Sequence, residues 1–370
     1  MPRQDPRLND AVKNVNEDIH DRVISHMLFL ERLKTQEAND LINKLDQDVL
    51  PDVLDRIEQR VEQGLSETGT VRAQELAAAI GTMAGRIKNE SIASLQDDLR
   101  ELAEDEVNWQ VGAIREAIDV DIDMATPAPE MLRQIVSDRP FDGFTLQQWF
   151  DKLERSTQEN LTGAVQRGIA QGETVNQIMQ RVRGTRANGF TDGVLQTTRR
   201  QAETVTRSAV QHVSNQARTE LFKQNDDVVK KVQWTASLDT RTCPVCMSLD
   251  GETFPVDGGK RPPVHANCRC AVTPVMKSWR ELGVDRGEIP ESTRASMNGQ
   301  VPETKTFGTW LQDQPDEVVE DALGKKRARL FREGNLDVKE FVNRRDQTLT
   351  LKELRQREKS AFERAGVDVQ

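Results

Sequence analysis

All four cysteines of the 370-residue chain, Cys243, Cys246, Cys268 and Cys270, fall within 28 residues, and His265 stands three residues before Cys268. The pattern is C-x2-C-x18-H-x2-C-x-C. A C-x2-C knuckle puts two thiolates on one side of a tight turn, within tetrahedral reach of one metal ion. His265, Cys268 and Cys270 then offer the second pair of ligands, so five donors compete for four positions. If residues 268–270 are extended, Cys268 and Cys270 alternate, and the set is Cys243, Cys246, His265 and Cys268. If the segment turns, the four cysteines form the set. Zinc in a structural role is the expected cofactor. A module of about fifty residues with few aromatic side chains has a thin core and needs a staple, and bound zinc supplies folding free energy directly.

Three other chemistries fit the same residues. Cys243 and Cys246 can form a redox pair, although that motif opens a helix in a βαβ setting, and here a strand is expected before it and a hairpin after it. The thiols can be plain buried side chains or pair as disulfides at an extracellular stage. A cysteine and His265 can act as nucleophile and base, which needs a third, orienting group; Asp239 and Asp250 are the candidates. A catalytic zinc keeps an open position, whereas five donors point to a closed site, and the sequence has no P-loop, G-x-S-x-G or H-E-x-x-H. The expectation is a protein that is not an enzyme.

The elements around the cluster follow from periodicity. VVKKVQW, starting at Val228, reads as a strand, LDGETFPV (249–256) as a hairpin turning at Asp250-Gly251, and CAVTPV (270–275) as a further strand. Upstream, 194–225 reads as a helix with Ala202, Val205, Ala209, Val213, Ala217 and Leu221 on one side. A helix is expected at 173–183, and 184–193 is a glycine-rich loop. Thr145 and Gln148 have capping-box spacing ahead of a helix burying Leu146, Trp149, Phe150 and Leu153. Residues 119–143 hold three prolines and read as a linker. Before them lie two long helical stretches. In 8–66, Val12, Val15, Ile19, Val23, Met27, Leu30 and Leu33 form one stripe, continued by Leu41, Leu45 and Val49 and, after a break at Pro51, by Val53, Ile57, Val61 and Leu65. In 71–118 the stripe is Leu76, Ile80, Met83, Ile87, Leu95, Leu99, Leu102, Ile114 and Ile118. After the cluster, 286–306 reads as loop, and 307–323, 328–343 and 349–365 as three short helices.

These elements amount to an α+β chain, predominantly α. Its expected parts are an acidic long-helix segment (1–120), a linker (121–144), a helical part (145–228), a small β-rich Cys/His module (229–280) and a C-terminal extension with short helices (281–370). Composition agrees with extended helices and several small cores: hydrophobic residues are 36%, aromatic residues 4%, and tyrosine is absent. The net charge of −10 is uneven, with 28 acidic and 15 basic residues in 1–135, 19 and 22 in 136–302, and 14 of each thereafter. An acidic first third does not attract nucleic acid by counterion release. No apolar run approaches the length of a membrane span, and no signal peptide is expected from the first residues.

The cluster residues carry a family resemblance. WTASLDTRTCPVCMSLDGETFPVDGG with RPPVHANCRCAVTPV resembles the core signature of the phage Mu F-like minor head, or head morphogenesis, proteins. The matching positions are Trp234, Asp239, Arg241, Thr242, Cys243, Cys246, Leu249, Gly251, Pro263, His265, Cys268, Arg269, Cys270 and Pro274. A looser likeness extends over about 145–280, through GIAQGETVNQIMQRV and Arg207, Asn215 and Arg218. The segment after 291 is similar to tails of longer members. The resemblance implies a virion protein of a tailed bacteriophage, present in a few copies around the portal ring inside the capsid and assembled in the bacterial host cytoplasm. It implies a role in head assembly, DNA packaging or DNA ejection. Its partners would be the portal protein and, further, the major capsid protein and packaged DNA, with no membrane in the assembled head.

Two alternatives stand beside this reading. One is a zinc-module DNA-binding protein, with Arg199, Arg200, Arg207, Lys230, Lys231, Lys260, Arg261 and Arg269 forming a basic face. The other is a metal- or cysteine-dependent enzyme. Asp239 and Arg241 can form a polar network that orients the knuckle, but for any one charged residue an ordinary surface ion pair, worth about 0–1 kcal/mol, is the favoured reading.

Overall fold

The structure, a computed structural model, describes residues 26, 29–44, 46–47, 50–64, 70–117, 123–277, 281, 293–302 and 305–369. Val12, Val15, Ile19, Val23, Met27, Leu45, Val49, Leu65 and Ile118 of the expected stripes lie outside these residues. The chain is predominantly helical with a small antiparallel sheet, as expected. Helical residues 29–44 (α1) are followed by α2 (Leu50–Gly64) and α3 (Thr70–Ala117). At 48 residues, α3 is about 70 Å long at the usual rise of about 1.5 Å per residue. Ile80, Leu95, Leu99, Leu102 and Ile114 are buried along it.

The stretch expected as linker contains a helix, α4 (Pro129–Ser137), which buries Leu132, Ile135 and Val136. Its prolines were read as breaks, but Pro129 occupies the first helical turn, where a missing amide costs nothing. Next comes α5 (Leu146–Ala170), opened by the anticipated capping box of Thr145 and Gln148. Leu146, Phe150 and Leu153 are buried and Trp149 is half-buried. A second capping box, Thr174 with Gln177, opens α6 (Val175–Arg183). The central helix is α7 (Val194–Gln224), and its expected small-residue stripe is buried throughout. Helices α3, α5 and α7 pack on one another around a single large core.

Strand β1 (Val229–Thr235) lies between β2 (Thr253–Phe254) and β3 (Ala271–Met276), antiparallel to both. Val232 faces Pro274 and Trp234 faces Val272. An irregularity between Val229 and Lys231 resets the alternation, so Val229, Val232 and Trp234 are all buried while Lys230 and Lys231 are exposed, as a bulge allows.

Between β1 and β2 the chain forms a helix, α8 (Pro244–Leu249), with Cys243 as its N-cap. This corrects the expected hairpin: Leu249 ends α8, and the two-residue β2 pairs with β1 rather than within 249–256. The stretch expected as loop contains a hairpin, β4 (Thr293–Ser296) and β5 (Gly299–Pro302). Its turn signal was Asn298-Gly299, and Gly299 sits at φ 111°. The expected three C-terminal helices are shorter pieces: α9 (Phe307–Gln312), α10 (Asp316–Leu323), α11 (Lys325–Arg332), a 3-10 turn at Val338–Phe341, α12 (Leu351–Arg357) and α13 (Lys359–Ala365). Together they enclose a second core that includes Phe307, Trp310, Phe331, Phe341 and Phe362.

Candidate metal centre

The knuckle is built by helix capping. Cys243 has extended backbone (φ −76°, ψ 157°), and its Sγ accepts the Cys246 amide at 3.4 Å. Pro244 follows at the first helical position, where its fixed φ suits the turn. The C-x2-C motif therefore opens a short helix, contrary to the expectation of a knuckle between strand and hairpin. One turn of helix brings both sulfurs to the same side.

The second group of donors arrives on the segment leading into β3. His265 Nε2 lies 3.2 Å from Cys243 Sγ and 3.2 Å from Cys246 Sγ. Cys246 Sγ lies 3.8 Å from Cys268 Sγ. The donor atoms of Cys246, Cys268 and Cys270 are all within 4.8 Å of one another, as are those of Cys243, Cys246 and His265. All five expected residues thus converge, with Cys246 common to both groups. Cys268 and Cys270 are buried together with Trp234, Ala236 and Leu249.

These spacings suit a tetrahedral ion. With Zn–S of about 2.3 Å and Zn–N of about 2.0–2.1 Å, the edges of a tetrahedral site are about 3.8 Å between sulfurs and about 3.6 Å between sulfur and nitrogen. The imidazole is oriented for ligation by its far nitrogen, which donates from Nδ1 to the Ala266 carbonyl at 2.8 Å. Such a contact fixes the tautomer and leaves the Nε2 lone pair for a metal.

The acid–base balance points the same way. Hydrogen bonding from Cys246, with help from His265, pulls the Cys243 thiol down to about 4. Hydrogen bonding from Cys246 also lowers Cys268. The thiolates of Cys243 and Cys268 push His265 up to about 11. Cys246, donating to Cys243 and Cys268, is raised. Cys270 is raised too, by Cys268 and burial against the pull of Cys246. A divalent cation bound among these donors would displace their protons.

Polar supports surround the donors. Arg269 grips Asp239 with two bonds of 2.5 and 2.6 Å. Burial alone would raise the Asp239 carboxyl, but Arg269 lowers it. The Asp239–Arg241 contact is present and extended: the Arg241 amide donates to Asp239 Oδ1 at 2.9 Å and its exposed guanidinium lies 3.5 Å away, while half-buried Arg269 is the bidentate partner. Asp250, 1% exposed, accepts the Ala236 amide at 2.8 Å and the Phe307 amide at 2.7 Å. Its place is structural, joining the sheet to α9.

Periodicity missed a set of buried polar residues on α7. Ser208 Oγ accepts the Asn267 amide at 3.1 Å, and Gln211 and Asn215 both bond to Cys270. Further along, Ser214 and Arg218 donate to Glu106 of α3, which also receives His26 at 2.6 Å. Polar residues beside an apolar stripe read as a solvated face, and only the packing of other elements on both sides buries them.

The basic residues expected to form a nucleic-acid face are largely engaged within the chain. Arg199 donates to Asp46 at 2.6 and 2.8 Å. Arg207 reaches Thr35 and Glu31 at 3.2 and 3.3 Å. Lys230 meets Glu281 and Lys260 meets Asp346, each at 2.6 Å. Arg261 donates to the carbonyls of Pro255 and Val256. The acidic first third of the chain supplies part of this neutralisation.

No helix among the described residues is long and apolar enough to cross a membrane. Neither the curated proteins nor the solved structures compared with the chain include a match. Residues 159–273 match the family model described as phage Mu protein F like protein. That segment runs from within α5 to β3 and contains all five Cys and His donors, so it is the part of the chain around the cluster that is similar to the phage Mu F-like head morphogenesis proteins.

Proposed function

We propose that the protein is a minor structural component of a tailed-phage head, docked at the portal vertex inside the capsid in several copies around the ring. There it supports head assembly, DNA packaging or ejection. The observation that carries this reading is the family match over 159–273, which coincides with the part of the chain built around the Cys/His cluster. One structural zinc, held by four of Cys243, Cys246, His265, Cys268 and Cys270, staples that part into a rigid docking unit. The portal protein is the expected partner, with the major capsid protein and packaged DNA as further neighbours.

A structural role is favoured over catalysis by the surroundings of His265. Its Nδ1 meets a backbone carbonyl, while both candidate orienting carboxylates are committed elsewhere, Asp239 to Arg269 and Asp250 to two backbone amides. A nucleophile–base pair with no carboxylate behind the imidazole to stabilise its protonated form is poorly equipped for turnover. The DNA-binding reading is weakened by the in-chain neutralisation of most of its basic residues.

The test is quantitative mass spectrometry of purified DNA-filled particles, with zinc measured on the isolated protein. A few copies per particle and about one zinc per chain, as one tetrahedral site requires, are expected. Absence from mature particles would replace the virion role with that of a departing assembly factor.

A further inference from the structure

The segment carrying Cys268 and Cys270 has an unusual neighbour. β3 pairs with β1 from Ala271 onward. Its outer edge runs against α7, and a helix backbone has no spare groups to complete a ladder. Buried amides and carbonyls must nevertheless find partners. Along a strand, the carbonyl of one residue and the amide two residues later point to the same side, and a parallel neighbour would satisfy both. Here a single side chain does so. Asn215, fully buried, donates from Nδ2 to the Cys270 carbonyl at 3.2 Å. Its Oδ1 accepts the Val272 amide at 3.0 Å. The same Nδ2 is anchored on the Gln211 carbonyl at 2.9 Å. Gln211, one turn earlier, adds a second donor to the Cys270 carbonyl at 2.5 Å. Ser208, nearly one turn before that, holds the Asn267 amide at 3.1 Å.

Three backbone sites bracketing Cys268 and Cys270 are thus tied to one face of α7. We propose that Asn215, with Gln211, is a positioning residue of the metal centre: it replaces a missing strand and fixes the main chain that presents the second pair of sulfurs to Cys246 and His265. The assignment rests on the metal reading given above. A ligand loop held only by the metal would pay the ordering entropy at the moment of binding. A loop already clamped to α7 meets that cost during folding, so metal affinity depends on the clamp.

The experiment compares full-length wild type, Asn215→Leu, Gln211→Met and Ser214→Ala. Zinc affinity is read by competition with a chromophoric chelator, and the visible spectrum of the cobalt-substituted protein reports the ligand geometry. Asn215→Leu is expected to weaken zinc binding about 10–100-fold, the range for loss of an outer-sphere support, and to shift the cobalt bands. Gln211→Met, which leaves the Asn215 bonds in place, is expected to show a smaller loss with the same sense. Ser214→Ala perturbs the same buried helix but on its Glu106 side, and should leave affinity and spectrum unchanged. Wild-type affinity and spectrum in Asn215→Leu would overturn the assignment. Should that variant not fold, wild-type behaviour of Gln211→Met would do so. A wild-type chain that takes up neither zinc nor cobalt would overturn the metal reading itself, and the assignment with it.

Discussion

The sheet-and-knuckle region (229–277) and the helical region after it (305–369) are of similar size, yet they are held together differently. The C-terminal region buries five aromatic side chains, Phe307, Trp310, Phe331, Phe341 and Phe362, with a surrounding set of aliphatic residues. Its short helices begin with side-chain caps at Thr306 and Thr350, and Asp337 caps the intervening 3-10 turn. Several of its arginines donate to helix-end carbonyls, as Arg329 does to Ala365 and Arg364 to Gly334. The cluster around the knuckle buries one large aromatic, Trp234, with Ala236, Leu249 and three of the four cysteines, and half-buried Phe254 packs against it, while the sheet's Val229, Val232 and Val272 join the large helical core. A chain with 4% aromatic residues has concentrated them where no metal donors occur. Where the core is thin, soft donors converge instead. Small folding units thus reach adequate stability by either route, burial of large apolar surface or a metal staple.

The largest expected effect follows from the proposed zinc and comes with its removal. Structural zinc contributes about 10–16 kcal/mol in small finger peptides, which exceeds or equals the whole stability of a typical domain, about 5–15 kcal/mol. A strong chelator should therefore deprotect the amides of α8 and of residues 265–270 to hydrogen exchange, while those of α11–α13, and of β1 and β3 with Val229, Val232 and Val272 in the large helical core, remain protected. Equal protection of α8 and residues 265–270 before and after chelation would erase the distinction between the two regions.

The reciprocal change is Trp310→Ala. Truncating a side chain that is 1% exposed costs about 3–5 kcal/mol, visible as an earlier transition for residues 305–369 in denaturant. Zinc content should remain that of the wild type. Loss of zinc along with the aromatic core would mean that the two regions form one unit.

Asp250→Ala addresses the joint between them. It leaves the buried amides of Ala236 and Phe307 without their acceptor, at about 1–3 kcal/mol for each unsatisfied group. The expected outcome is a wider separation between the unfolding transitions of the two regions. A sharper single transition would show that the contacts of Leu238 and Met247 with the C-terminal core suffice to couple the regions.

The smallest effect is that of Thr350→Ala, which removes one partner of the capping box that opens α12. A loss of about 1 kcal/mol is expected, confined to the C-terminal region and measured as a shift in its denaturation midpoint. The same substitution should leave cobalt binding at the cluster untouched.

Much of this organisation was legible from local patterns. The capping box at Thr145, the small-residue stripe of α7 and the strands at 229 and 271 follow from short-range rules, because caps and periodicity are properties of neighbouring residues. The errors fell where a short segment had two local readings. Cys243-Pro244 begins a helix, yet Asp250-Gly251 suggested a hairpin turn. The outcome was decided by Asp250 bonding to distant amides at Ala236 and Phe307. Pro129 suggested a linker but begins α4, whose Leu132, Ile135 and Val136 find burial that no local rule anticipates.

For the metal centre, the sequence by itself determined the donor inventory and its chemistry, since five thiol and imidazole groups confined to 28 residues cannot avoid one another once the intervening chain folds back. The same residues carry the likeness to the phage Mu F-like proteins, which the family model matches over 159–273. Only the tertiary structure decided how the donors are held. Asn215 and Gln211 precede Cys270 by more than fifty residues, and Asp239 takes Arg269 as its bidentate partner in addition to its neighbour Arg241. Such pairings depend on which elements pack together. Hydrogen-bond energy falls off within a few tenths of an ångström, so the partner is set by three-dimensional placement and leaves no trace in residue spacing.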